Sequence, residues 1–148
     1  MADLLDDMAA HLVAEAIAIG GSPVAVWNGT VGTIFLGRMP DSVAEPDACI
    51  SLNEDTGAPP LQTMGRNTAP IIERPRLVML VRGAPSEYVQ PRAVARAAWL
   101  ALNRVANETV NGTFYQRVEP IGSIAPFECD AGDRWTFMAS FDVMRSVS

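Results

Sequence analysis

The sequence predicts an α+β fold, a two-layer sandwich with two helices on one face of a mixed or antiparallel sheet. Three observations carry this. Leu77 to Val81 form an unbroken apolar run bracketed by Arg74, Arg76 and Arg82. That run is too short for a helix and reads as a central strand buried on both faces. Two other stretches repeat their apolar residues at helical spacing, and the C-terminal segment alternates with a period of two. The resulting order is helix, hairpin, strand, long loop, strand, helix, strand, strand, which matches helices packed on a sheet.

The first helix is expected from Ala2 to about Ile19, with Leu5, Met8, Leu12, Ala16 and Ile19 as its apolar stripe. Asp3, Asp6 and Asp7 lie in its first turns, where acids suit the helix dipole. Gly20 and Gly21 stop it. His11 is the sole histidine and falls at the boundary of the stripe, a packing position rather than a catalytic one. Val24–Trp27 and Thr30–Leu36, joined by Asn28-Gly29, read as a hairpin, because both turn residues tolerate positive φ. Met39-Pro40-Asp41-Ser42 is a turn, and Cys49 to Asn53 a short strand in which Cys49 acts as a small hydrophobe.

From about Glu54 to Glu73 the chain holds Gly57, Pro59, Pro60, Gly65, Asn67 and Pro70 and reads as a long loop. Loops of this length are usually functional or disordered. This one also carries Leu61, Met64, Ile71 and Ile72, which suit a mobile arm that orders against a partner, the alternative being a loop packed on its own domain. The central strand follows, with Pro75 where a strand tolerates it and Gly83 and Pro85 at its end.

The main helix is expected from about Pro91 to Asn107, proline fitting its first turn. Val94, Ala97, Ala98, Ala101, Leu102 and Val105 form its inner face. Arg92, Arg96, Trp99 and Asn103 lie opposite, and an exposed Trp among arginines is a common protein–protein anchor. Val110 to Thr113 is a turn, Phe114 to Glu119 a strand, and Ile121 to Phe127 an irregular extended piece. A polar turn at Cys129–Asp133 leads to the last strand, Arg134 to about Arg145. There Trp135, Phe137, Ala139, Phe141 and Val143 alternate with Thr136, Met138, Ser140, Asp142 and Met144.

At 148 residues the chain reads as one domain, 1–148, and 49 % hydrophobic residues are enough for a core. The net charge of −6 argues against a protein whose main task is coating nucleic acid. Arginine replaces lysine throughout, which GC-rich coding explains most simply; the other reading is that arginine suits interfaces through its planar, weakly hydrated head. Cys49 and Cys129 make neither a disulfide framework nor a metal motif. The acidic N-terminus does not resemble a signal peptide, and no apolar run approaches the ~20 residues needed to span a membrane. Synthesis in a reducing cytoplasm is expected.

No catalytic, cofactor or metal site is expected. A nucleophile needs a base beside it, and one histidine with two scattered cysteines does not supply the pair. No phosphate loop, dinucleotide fingerprint or zincin motif occurs. Glu128, Asp130 and Asp133 cluster in one turn, but their spacing fails that of an EF-hand.

Three stretches together resemble one family: Ile34–Asp41 leading to Cys49–Leu52, Glu73–Gly83 with its alanine-rich helix, and Asn111–Pro120 leading to Asp130–Arg145. They resemble the tail terminator proteins of long-tailed bacteriophages, also called minor capsid proteins, over most of the chain. The Val24–Gly32 stretch departs from that pattern as an insertion, and Pro85 with Pro91 breaks the start of the helix. The resemblance implies a non-catalytic subunit of a hexameric ring in the virion neck, assembled in the host cytoplasm. Such a ring caps the tail tube, meets the tail tube protein and the head-side connector or head-closure protein, and lets DNA pass without reading its sequence. It implies no cofactor and no membrane partner. Arg82-Gly83 and the Asp130–Arg134 turn match the family only as strand ends. A heterologous interface built from Arg92, Arg96, Trp99 and Asn103 on one side, and Leu61, Met64 and Ile71 on the other, would suit a ring. The alternatives are another neck component (a head-closure or tail-completion protein) or a small intracellular module whose long loop forms a ligand groove.

Overall fold

The computed structural model describes residues 3–41, 45–62 and 71–147. Its elements are α1 (Leu4–Ala14), β1 (Ala18–Ile19), β2 (Ser22–Pro23), β3 (Ile34–Leu36), β4 (Cys49–Gln62), β5 (Ile71–Arg82), α2 (Val89–Asn103), β6 (Ala106–Val110), β7 (Thr113–Pro120), β8 (Ala125–Cys129) and β9 (Trp135–Val147). The larger sheet has the order β3-β4-β5-β9-β7-β6, with β8 also paired to β9. β3 and β4 are parallel and the other pairings antiparallel, so the sheet is mixed. Both helices pack on one face, and the α+β sandwich read from the sequence is what forms.

The core lies between α1, α2 and that face. Leu4, Met8 and Leu12 of α1 and Val94, Ala98, Ala101 and Leu102 of α2 meet Leu77, Met79 and Val81 of β5 and Phe137, Ala139, Phe141 and Val143 of β9. β5 is central, as expected. It is not buried on both faces, however: Leu77, Met79 and Val81 are enclosed, whereas Val78 and Leu80 are half-buried. Cys49 is fully enclosed, and burial pushes its thiol up to about 11, consistent with a small hydrophobe.

α1 is shorter than its periodicity suggests. It ends at Ala14, and Ala16 adopts φ 57° with its N–H on the Val13 carbonyl. Gly20 and Gly21 sit instead at the tip of the small β1–β2 hairpin. The stripe therefore closes at Leu12, and Ala16 is exposed. His11 is buried at the helix–helix contact, its Nε2 donating to the Ala101 carbonyl at 2.9 Å. Asp7 is also buried. Its Oδ2 accepts from the Tyr115 hydroxyl, and Arg145 beyond it pairs with Glu73 at 2.8 Å. This chain of polar groups ties the start of α1 to β7, β9 and β5.

The two Asn-Gly pairs behave differently. Asn111 and Gly112, at φ 51° and 88°, close the tight β6–β7 hairpin. Asn28 instead accepts the Thr30 and Val31 N–H groups on its own side-chain oxygen. That satisfies the turn locally, so 24–33 forms a compact loop, not a hairpin. α2 stops at Asn103, and Ala106 and Asn107, expected at the end of the helix, open β6 instead. Ala97, expected on the inner face of α2, is exposed.

The long loop is largely strand. β4 runs on to Gln62 and pairs with β5 as far as Gln62–Ile71, with register shifts around Ala58. β3 borders β4 only at Ile50–Leu52, and among the described residues no strand pairs with the outer edge beyond it, where Pro59 and Pro60 cost no ladder bond. Gly57 lies so close to β5 that a Cβ there would sit 2.0 Å from the Arg74 carbonyl oxygen. The 63–70 part of the expected loop lies outside the described residues.

Ala16 holds a left-handed conformation at a helix end, where glycine has no Cβ penalty. Ala16→Gly should stabilise the protein by about 0.5–1 kcal/mol. A urea midpoint measurement checks this, and an unchanged or lowered midpoint would contradict it.

Candidate functional site

The helices leave one face of the sheet uncovered, and the strand register orders what that face presents. Cross-strand partners share a face, so Cys49, Arg82 and Thr136 form one row and Phe35, Ser51, Leu80 and Met138 the next. Asn53, Val78 and Ser140 follow, then Asp55, Arg76, Asp142 and Glu119. Along the strands the face thus changes from a covered end, through an apolar band, to a charged end.

The covered end is built around Arg82, which is 4 % exposed. Its guanidinium donates to three carbonyls of the segment after β3: Asp47 at 2.8 Å, Pro40 at 2.6 Å and Pro46 at 3.2 Å. A planar head with five donors suits this fan of acceptors. Arg134 adds a second tie, donating to Asp130 at 2.9 Å and Asp47 at 2.9 Å. Partial burial works to raise the Asp130 carboxyl, but its hydrogen bonds to Arg134 and that cation's charge hold it below the usual carboxylate range. Asp133 accepts from Ser86. The acidic turn is therefore a structural clamp, and among the described residues no group of His, Cys, Asp and Glu is placed to hold a metal ion. Next to it, Trp27 stacks on Phe35 at 5.4 Å and Arg38 lies over the same ring at 5.0 Å.

Val78, Leu80, Met138 and Met144 remain half-buried on the open part. At the charged end Arg76 pairs with Asp142 at 3.3 Å and Arg117 with Glu119 at 3.2 Å. Arg74 donates twice to the Pro59 carbonyl, which latches the β4–β5 arm. Ala58, Arg74, Arg117, Glu119, Asp142 and Met144 line a depression of about 240 Å³. The sequence shows this face only as the polar half of the alternation in β9. Its partners on β4, β5 and β7 become readable once the register is known.

The residues predicted as an interface fall into two groups. Arg92, Arg96 and Asn103 are exposed on the outer side of α2, as expected. Trp99 is not a free anchor: it is half-buried against the core, with its Nε1 enclosed. Leu61 is 42 % exposed on β4. Ile71 begins β5, paired with Gln62 and Val147, and Met64 lies outside the described residues. The arm is thus held in the sheet on both edges of β5 rather than hanging as a loop.

No family model matches the sequence, and no curated protein matches it. Among solved structures the fold is similar to that of a chain from the virion of a native gene transfer agent particle. The TM-score is 0.54 at 15 % identity, over 78 % of this chain and 79 % of that one. No helix among the described residues is long and apolar enough to cross a membrane.

Replacing Arg82 removes the fan and leaves three carbonyl acceptors to find water. Arg82→Met should cost about 2–4 kcal/mol, and Arg82→Lys less, since charge remains but the fork is lost. Limited proteolysis should then cut within residues 37–48 before the sheet unfolds. Wild-type stability and cleavage in Arg82→Met would show that the segment is held by other contacts.

Proposed function

We propose that the chain is a structural virion protein whose copies form a ring at the neck of a phage-like particle, in the manner of a tail terminator. The observation that carries this reading is the shared fold with a chain of a gene transfer agent virion, covering almost four-fifths of both chains. The sequence resemblance in the Glu73–Gly83 and Asp130–Arg145 stretches supports the same reading.

The physical features suit such a role. A ring needs two different surfaces, one of which meets the other on the next copy. The exposed sides of α1 and α2 are two such surfaces, and the uncovered sheet face on the opposite layer is another. The β4–β5 arm, with Leu61 exposed, offers a third contact toward a tail tube protein or a head-side connector. The reading carries no catalytic role: Arg82, Arg134 and Arg145, the most enclosed cations, are all engaged in holding segments of the fold together. DNA would pass through the ring without sequence-specific contacts.

The direct test is native mass spectrometry with negative-stain imaging of purified protein, alone and after mixing with cognate tail tubes. Closed rings of six subunits, free or seated on tube ends, are expected. A protein that stays monomeric under both conditions would count against the ring and favour a small ligand-binding module.

A further inference from the structure

The helix layer is divided by charge. α2 carries Arg92 and Arg96 on its exposed side and contains no acidic residue. Neither arginine has an ion-pair partner among the described residues. The helix begins at Tyr88 without a side-chain cap, so its positive end is not offset by any acid in the first turn. Around these cations the surface is small or apolar: Ala93 and Ala97 are exposed, and Val89 is 78 % exposed.

α1 is the reverse. It contains no Lys or Arg, Asp3 caps it, Asp6 is exposed in its first turn, and Ala10 and Val13 continue the same outward surface. Glu54 of β4 adds a third carboxylate beside Asp3; burial first, and then the Asp3 charge, push its carboxyl up. Within one subunit the two helices already match charges where they touch, since Arg104 after α2 reaches Glu15 after α1 at 3.7 Å. At the opposite ends Asp6, Arg92 and Arg96 have no ion-pair partner among the described residues, while Asp3 caps its own helix.

We propose that the arginine face of α2 in one subunit docks on the acidic N-terminal half of α1 in the next, so that the helix layer continues from copy to copy around the ring. The occupant is a second copy of this chain because its own α1 offers what α2 lacks. Arg92 and Arg96, one helical turn apart, stand about 6 Å from each other, close to the spacing of Asp3 and Asp6. The exposed Ala93 and Ala97 beside the arginines let another helix approach closely. The contact is heterologous, as ring closure requires. This inference rests on the ring reading above and names the surfaces that meet.

Charge reversal tests it. Arg96→Glu and Asp6→Arg should each leave the monomer folded, with melting close to that of the wild type, because both sites are exposed. Arg92→Glu serves in place of the first if Arg96→Glu does not fold. Each variant alone should need at least about tenfold more protein for half assembly, and wild-type rings should loosen as salt rises. A 1:1 mixture of the two variants should recover ring formation. When the two alternate around a ring, the acid introduced on α2 of one copy faces the base introduced on α1 of the next, and the following contact keeps the native pair of Arg96 and Asp6. Singles that assemble like the wild type, or a mixture that fails to recover while wild-type rings form, would overturn the docking and leave the ring standing. A wild-type chain that forms no ring, free or on tail tubes, would overturn both.

Discussion

β5 is hydrogen-bonded along both edges, to β4 on one side and β9 on the other, from Ile71 to Arg82. This double pairing fixes the place of the other parts. It sets the alternation that sends Leu77, Met79 and Val81 under the helices and Arg76, Val78 and Leu80 to the opposite face. It holds the β4–β5 arm within a three-stranded layer. It also brings Arg82, the last residue of the strand, beneath the segment that follows β3. Gly83 then allows the chain to turn against Pro91, whose ring would meet a Cβ there at 2.6 Å. Strand, clamp and helix start are therefore consecutive consequences of one pairing.

Much of this was legible in the residues. The five apolar positions of β5 and the period of two in β9 are local signals for strands; burial follows the alternation in β9, whereas in β5 it takes only Leu77, Met79 and Val81. α2 was legible because its inner alanines and leucine repeat at helical spacing. The errors have physical causes. Gly57, Pro59 and Pro60 signal a loop only if both edges of the strand need donors, and here no strand among the described residues pairs with the outer edge of β4 beyond Leu52. Asn28-Gly29 has hairpin chemistry, but the asparagine side chain completes its own turn. α1 ends early at an alanine in a left-handed conformation, a choice that no residue preference announces.

The candidate surfaces divide in the same way. Arg92, Arg96 and Asn103 were readable as an outer helix face from spacing alone. Trp99 shares that spacing but is large enough to reach back to the core, so its angular position misled. The charged rows that join Asp55, Arg76, Asp142 and Glu119 could not be read, because they come from strands far apart in sequence. Register is a tertiary fact, and only the fold supplies it.

The proposed role follows from a fold shared with a virion chain and from surfaces that offer different chemistry on the two layers of one small domain. Where the protein sits in a particle tests that account most directly. Particles assembled with an epitope-tagged copy, labelled by antibody and viewed by electron microscopy, should carry label at the head–tail joint and nowhere else. Label along the tail, over the head shell, or absent from mature particles would contradict the account.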